Sequence, residues 1–174
     1  MLSRFRTLYR ERRGVRWATD LFVLFVVLLV VGAFQTRKHL RGAVPPLPLT
    51  TLDGQTTSLD AYKGKKTLVY LWAPWCGVCK AESQNVSWAR SLVGSRANVV
   101  SIATAYEKVD DVRGYMNARG VDYPVLLGAD AAVERAFHVS AFPTVYFVDA
   151  SGKITGSATG YTTTVGLLWR LLWQ

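Results

Sequence analysis

Cysteine and histidine are scarce in this sequence, which has two residues of each type among its 174. A structural zinc site takes four ligands. Besides Cys76 and Cys79 only His39 and His138 are available, so we expect no metal site. A single disulfide with two residues between its cysteines closes too short a loop to stabilise a fold much. The pair is therefore best explained as a redox couple that alternates between dithiol and disulfide, with no other cofactor.

Charged residues are also few, at 19% of the chain, and half of the residues are hydrophobic, which excludes a disordered protein. The net charge of +9 is unevenly spread. Residues 1–41 hold nine Lys/Arg and two acidic residues, whereas the other 133 residues hold 12 basic and 10 acidic ones. Because the basic segment runs straight into an apolar one and the rest is nearly neutral, we expect no nucleic-acid partner.

Polar residues are absent from 21–31, at the centre of an apolar segment that covers residues 17–34. As a helix this segment would rise roughly 27 Å, close to the hydrocarbon thickness of a bilayer. Six arginines precede it and three basic residues follow it. This bias predicts a cytoplasmic tail at 1–16 and a single-pass anchor in a bacterial inner membrane, with the remaining chain in the periplasm. A cleaved signal peptide is the alternative, because 31–33 offers small residues for cleavage.

Three of the six prolines lie within 45–48, which predicts an extended linker at 35–49 before a domain at 50–174. In that domain, apolar runs and turn residues mark the elements. We predict a hairpin at 49–59, strands at 67–73, 98–105, 144–149 and 153–160, and helices at 76–92, 109–120, 131–137 and 162–173. Their order predicts an α/β domain with three layers and a mixed central sheet.

The cysteine pair lies where a predicted strand ends and a helix begins. Cys76 falls in the first helical turn, where unpaired backbone N–H groups and the positive end of the helix dipole favour a thiolate. An ordinary cysteine has a pKa of about 8.5, and a position at the start of a helix lowers that pKa. Cys79 lies one turn further on, within reach of a disulfide. We therefore assign Cys76 as the nucleophile and Cys79 as the resolving cysteine.

Glu82 follows the pair on an otherwise apolar helical stripe, together with Cys79, Val86, Ala89 and Val93. A carboxyl on such a face is partly desolvated, and its pKa is raised. Glu82 is thus a candidate for proton transfer to and from Cys79. The alternative is that Glu82 turns out to solvent or pairs with a basic side chain.

From residue 47 onward the chain resembles the thioredoxin fold. The stretch LWAPWCGVCK is similar to the thioredoxin active-site motif, and AFPTVYFVDASGKI to the segment that carries its cis-proline. The apolar N-terminal segment, the proline-rich linker and the hairpin resemble the membrane-anchored TlpA/ResA group, in which Glu82 matches the active-site glutamate. The dipeptide Gly77–Val78 and the ending GYTTTVGLLWRLLW are most similar to the suppressor-of-copper-sensitivity D branch (ScsD-like).

The resemblance implies a groove for the substrate backbone. In it, Pro143 is cis and faces the disulfide, and Trp75, Phe142 and Thr144 flank it. Two positions depart from the related patterns. Tyr70 stands where thioredoxin has a buried aspartate, which leaves proton transfer to Glu82 or to water. Thr144 stands where the cytochrome c maturation reductases carry an acidic residue, which argues against a haem-apoprotein substrate.

Together these features predict a membrane-anchored, periplasm-facing thiol:disulfide oxidoreductase that reduces disulfides of exported proteins. The resemblance implies a membrane electron donor of the DsbD or ScsB kind, and a part in cell redox homeostasis and copper tolerance. The reverse direction, in which the same atoms oxidise the substrate, remains open at this point, and so do two other functions. One is a Cu(I)-binding protein or metallochaperone, because two thiolates suit Cu(I). The other is a cytochrome c maturation thiol reductase.

Overall fold

A computed structural model describes residues 17–27, 40–128 and 130–173. Contacts divide the chain into two compact units, Met1–Lys38 and His39–Gln174.

In the first unit, the described part of helix α1 covers residues 17–27. Among the residues that the structure describes, no helix has both the length and the apolar character needed to cross a membrane. The predicted tail at 1–16, residues 28–34 of the predicted anchor and the first part of the predicted linker lie outside the described residues. The membrane anchor therefore stays a prediction.

The second unit alternates strands and helices along the chain. Its strands are β1 Gly42–Ala43, β2 Leu49–Thr51, β3 Thr56–Thr57, β4 Thr67–Trp72, β5 Asn98–Ala103, β6 Val125–Leu127, β7 Thr144–Val148 and β8 Lys153–Thr159. Its helices are α2 Gly77–Val93, α3 Val109–Arg119, α4 Asp130–Ala136 and α5 Thr164–Trp173, with 3₁₀ turns at Leu59–Tyr62 and Gly94–Arg96.

The eight strands form one sheet in the order β1-β8-β7-β4-β5-β6-β2-β3. Strand β4 pairs in parallel with β5 and antiparallel with β7, and β5 pairs in parallel with β6. The sheet is therefore mixed, as the order of elements predicts. Because β4 lies inside the sheet, the residues that follow its carboxyl end are held by neighbours on both sides.

Strand β4 is buried along its whole length, which confirms the prediction from its unbroken apolar run. Successive side chains of a strand point to opposite faces. Tyr70 and Trp72 accordingly join a core that contains residues of α2, α3 and α5, whereas Val69 and Leu71 join a second core that contains Val133 of α4. The two cores on either side of the sheet give the predicted three layers.

The second unit begins earlier than the predicted domain start at residue 50. Strand β1, inside the predicted linker, pairs with Ile154 and Lys153 of β8, and Val44 N donates to Gly152 O at 3.0 Å. The backbone makes these bonds, so no hydrophobic pattern signals them. The prolines that follow lack the N–H needed to extend the pairing. Leu47 N donates to Pro45 O at 2.9 Å, which closes a three-residue turn inside the predicted linker.

Strand β6 is a further element that the sequence pattern did not reveal. It has only three residues, all buried, and pairs with β5 on one side and β2 on the other. Three apolar residues after Pro124 are too few to establish a period of two or of 3.6. Tertiary pairing therefore decides their conformation.

Candidate active site

Helix α2 begins where it was predicted to begin, directly after the turn that follows β4. Cys76 is the N-cap residue, with φ −73° and ψ 114°, and its Sγ accepts a hydrogen bond from Cys79 N at 3.1 Å. The sulfur thus occupies the position where an N-cap oxygen usually satisfies a free helical N–H. A negative charge on this sulfur would be stabilised by that N–H and by the helix dipole.

Cys76 and Cys79 are joined by a disulfide, with their Cα atoms 5.2 Å apart. Cys76 retains 5% of its surface exposed, whereas Cys79 has none. A substrate sulfur can therefore approach Cys76 but not Cys79. This difference supports the assignment of Cys76 as the attacking residue and Cys79 as the resolving one.

Glu82 is fully buried, and the whole predicted stripe of α2 is buried with it. Its Oε1 accepts a hydrogen bond from Thr162 N at 2.9 Å, whereas its Oε2 has no partner among the described residues. Burial raises the pKa of Glu82 to about 7, and the hydrogen bonds from Thr162 only partly oppose that increase. The carboxyl can therefore bind or release a proton near neutral pH.

Two tyrosine hydroxyls support the resolving cysteine. Tyr115 of α3 and Tyr70 of β4 both donate to Cys79 O, at 2.9 and 3.3 Å. Burial raises the pKa of both phenols, which keeps them protonated and able to donate. Tyr70 occupies the position singled out in the sequence, but Tyr115 was missed. It lies 36 residues from Cys79, and no local pattern links the two.

Buried aromatic side chains pack in the same core cluster as Cys79. The ring of Tyr123 meets that of Tyr70 edge-on at 6.1 Å, and the ring of Trp72 lies 4.2 Å from that of Tyr115. Trp72 Nε1 and the Tyr123 hydroxyl are buried without a hydrogen-bond partner among the described residues. Burial raises the pKa of Tyr70 and Tyr123, and the charge of nearby Glu82 adds to that increase.

The groove residues implied by the resemblance lie on two segments, with Trp75 directly before Cys76 and Phe142, Pro143 and Thr144 at the start of β7. The Phe142–Pro143 peptide bond is cis. Trp75 is 65% exposed and meets the Phe142 ring edge-on at 5.9 Å. Its Nε1 donates to Ala105 O at 2.8 Å, which fixes the orientation of the ring. The structure thus places Trp75, the chain neighbour of Cys76, against Phe142, which precedes Pro143. That Pro143 faces the disulfide stays a prediction.

Thr144 corrects the expectation that its side chain flanks the groove. It is fully buried, and its hydroxyl donates to Ala141 O at 2.8 Å and lies 3.1 Å from the Thr159 hydroxyl. As the first residue of β7 it pairs through its backbone with Leu71 of β4 and Thr159 of β8, which holds it inside the sheet. Only its backbone is left to contribute to a groove.

The sequence is similar to a known protein family and to individual members of known function. The family model described as Redoxin matches residues 33–166. The thioredoxin-like protein YneN of Bacillus subtilis (strain 168) is 30% identical over 112 residues, which cover 63% of this chain and 65% of YneN. The thiol-disulfide oxidoreductase ResA of the same organism is 28% identical over 120 residues, which cover 68% of this chain and 66% of ResA.

The fold has counterparts among solved structures. MTB DsbF, solved in its mixed oxidized and reduced forms, superposes with a TM-score of 0.66 at 26% identity, covering 74% of this chain and 96% of that one. The matched family model spans most of the domain that carries the mixed sheet and the cysteine pair. The chain therefore belongs to the Redoxin family and, within it, to the thioredoxin-like thiol–disulfide oxidoreductases.

Proposed function

We propose that this protein reduces disulfides of exported proteins, working in the periplasm from a single N-terminal membrane anchor, as an ScsD-like member of the TlpA/ResA group. One observation carries the proposal. A slightly exposed N-cap cysteine and a fully buried resolving cysteine precede, by six and three residues, a buried carboxyl whose pKa is about 7. This arrangement supplies a nucleophile, a second thiol and a group that can move a proton at neutral pH.

The reaction begins with the reduced pair. The Cys76 thiolate, stabilised by the Cys79 N–H and the helix dipole, attacks one sulfur of the substrate disulfide. A bond forms between Cys76 and that sulfur while the substrate S–S bond breaks. The other substrate sulfur leaves as a thiolate and takes a proton from water. The product is a mixed disulfide between enzyme and substrate.

The second step releases the substrate. The Cys79 thiol gives its proton to the Glu82 carboxylate and attacks Cys76 Sγ. The enzyme disulfide forms, the mixed disulfide breaks, and the second substrate sulfur leaves as a thiolate that is then protonated. Two electrons have passed from the enzyme to the substrate. Glu82 suits this role because its folded-state pKa of about 7 lets it accept a proton and lose it again.

The oxidised pair must then regain two electrons by exchange with another dithiol. We propose a membrane donor of the DsbD or ScsB kind, which places the enzyme in a pathway of cell redox homeostasis and copper tolerance. No further cofactor enters the scheme, because every electron moves between sulfurs. The membrane anchor would hold the domain near that donor.

A turnover assay tests the proposal. The full chain, in mild detergent, should reduce insulin disulfides with dithiothreitol as the electron source, and Cys76→Ser should abolish turnover. The reduction potential of the Cys76–Cys79 couple then gives the direction: a value near about −270 mV supports a reductase, and one near about −120 mV supports an oxidant. Stoichiometric Cu(I) binding without disulfide turnover would instead favour the metallochaperone.

A further inference from the structure

A cavity of about 590 Å³ lies beside Trp75, between the start of α2 and helix α3. We refer to it as the α3 cavity. Its lining includes Trp75, Lys80, Tyr106, Asp111, Tyr115 and Arg119. We propose that the α3 cavity is a second substrate subsite, which binds an extended segment of the substrate polypeptide on the side of its cysteine away from Phe142 and Pro143. This inference rests on the proposed function.

The position of Trp75 is the first reason. Its ring contacts Phe142 on one side, and its Nε1 donates to Ala105 O, which belongs to the cavity lining. Trp75 therefore stands between the loop that carries Pro143 and the α3 cavity. A polypeptide whose cysteine reaches Cys76 continues in two directions from that point. One direction leads to Phe142 and Pro143, and the other leads into the cavity.

The shape of the cavity suits an extended chain. Asp111, Gly114, Tyr115 and Ala118 line it, and their spacing of three or four residues places them on one face of α3. From Asp111 to Ala118 the helix rises roughly 10 Å. An extended chain advances about 3.3 Å per residue, so about three substrate residues would lie along this face.

The charged side chains along the cavity have no ion-pair partner among the described residues, and Asp111 Oδ2 accepts a hydrogen bond from Lys108 N at 3.0 Å. Glu107 and Asp111 lie near the start of α3, and Arg119 lies in its last turn. The ion pairs found within the described residues join Lys63 to Asp60 and Arg90 to Asp122. None of the charges around the cavity is therefore neutralised by a side chain in that part of the structure.

These charges also give the subsite a direction. A substrate segment with a basic side chain near Glu107 and Asp111 and an acidic side chain near Arg119 would complement the two ends. Lys80, on α2, also lines the cavity and adds a second cation.

The floor of the α3 cavity leads directly to the redox pair. Tyr115 lines the cavity with the 6% of its surface that remains exposed, and its hydroxyl donates to Cys79 O. A segment bound there thus lies one side chain away from the resolving cysteine. Tyr115 therefore belongs both to the lining of the cavity and to the surroundings of the redox pair.

Gly114 allows a direct test, because a Cβ built on it meets no atom within 4 Å and its helical backbone accepts any residue. Gly114→Trp fills the cavity, and Gly114→Ala is the matched control. The full chain is reduced, and its single-turnover rate is measured with three disulfide probes that release thionitrobenzoate. One probe is dithiobis(nitrobenzoate) itself. The other two are peptides whose single cysteine is joined to thionitrobenzoate by a disulfide. One peptide extends about three residues from that cysteine towards the N terminus, and the other extends about three residues towards the C terminus.

We expect Gly114→Trp to slow the reaction with one of the two peptides by about tenfold. The other peptide and the small disulfide should react at rates within about twofold of the wild type. Gly114→Ala should leave all three rates within that margin. The subsite would be refuted if Gly114→Trp left all three rates equal to those of the wild type, or if it slowed all three by the same factor. If the wild-type chain reduces none of the probes, it is the proposed function that fails.

A second variant covers the case in which Gly114→Trp does not fold. Both extended peptides are made in versions that end in aspartate or in lysine. For one of the two peptides, Arg119→Glu should invert the preference between these versions, while Arg119→Lys should retain it. An unchanged preference in Arg119→Glu would refute the inferred direction and with it the subsite.

Discussion

Replacing Glu82 by glutamine should make the protein more stable at neutral and alkaline pH, although the change removes a charged group. Burial raises the pKa of this carboxyl from its ordinary value of 4.5 to about 7 in the folded protein. The folded state therefore binds the proton more tightly than the unfolded state does. The resulting stabilisation is fully present below pH 4.5 and is lost as the pH rises through about 7.

The magnitude follows from the same two values. Each tenfold change in proton affinity corresponds to about 1.4 kcal/mol, so the total loss of stability across this range is about 3 kcal/mol. Glutamine has the shape of the protonated acid and keeps an oxygen for Thr162 N. The variant avoids the cost of burying a carboxylate. Its free energy of unfolding should equal that of the wild type near pH 4 and exceed it by about 3 kcal/mol at pH 8.

Urea unfolding of the full chain with its disulfide intact measures this difference, because neither cysteine titrates in that state. The midpoint and slope are recorded for both proteins across the pH range. Glu107→Gln, which makes the same replacement at an exposed position, is measured in parallel as the control. A difference between Glu82→Gln and the wild type that stays constant with pH would refute the reasoning, because it would mean that the buried carboxyl binds its proton no more tightly than the unfolded one.

Three further outcomes are expected. Cys79→Ser should accumulate mixed disulfides between Cys76 and its substrates, detectable by non-reducing electrophoresis. Their absence would contradict the assignment of Cys76 as the nucleophile and Cys79 as the resolving cysteine. Tyr115→Phe should raise the thiol pKa of Cys79 in the reduced protein, measured by pH-dependent alkylation. Tyr146→Phe, which removes a buried hydroxyl bonded to a backbone oxygen in the other core, should not. Leu171→Ala should lower the free energy of unfolding by about 2–5 kcal/mol, since the leucine is 2% exposed, and a smaller loss in urea unfolding would contradict its place in the core.

Local patterns were sufficient for much of the fold. The apolar run of β4, the start of α2 near Cys76 and the end of α3 at Gly120 are all visible in the sequence. Gly120 adopts φ 58°, the left-handed conformation that favours glycine after a helix. The apolar stripe of α2 likewise indicated that Glu82 is buried. Each of these features depends on residues close together in the chain.

Features that depend on distant parts of the chain were not predictable in the same way. The Thr162 N–H reaches Glu82 across 80 residues, and Tyr115 reaches Cys79 across 36. Hydrophobic periodicity shows which face of a helix is buried but not which side chain from another element lies against it. For the same reason the burial of Thr144 and the pairing of β6 appeared only in the structure.

The short loop before α5 is tied to the active-site helix at two points. Glu82 accepts from Thr162 N, and Asn85 donates to Thr162 O at 3.0 Å, so both backbone groups of one residue are held by α2. Any truncation or fusion that pulls this loop away would expose the acid to water and change its proton affinity. The loop before α5 thus helps to set the proton affinity of Glu82, which lies eighty positions earlier in the chain.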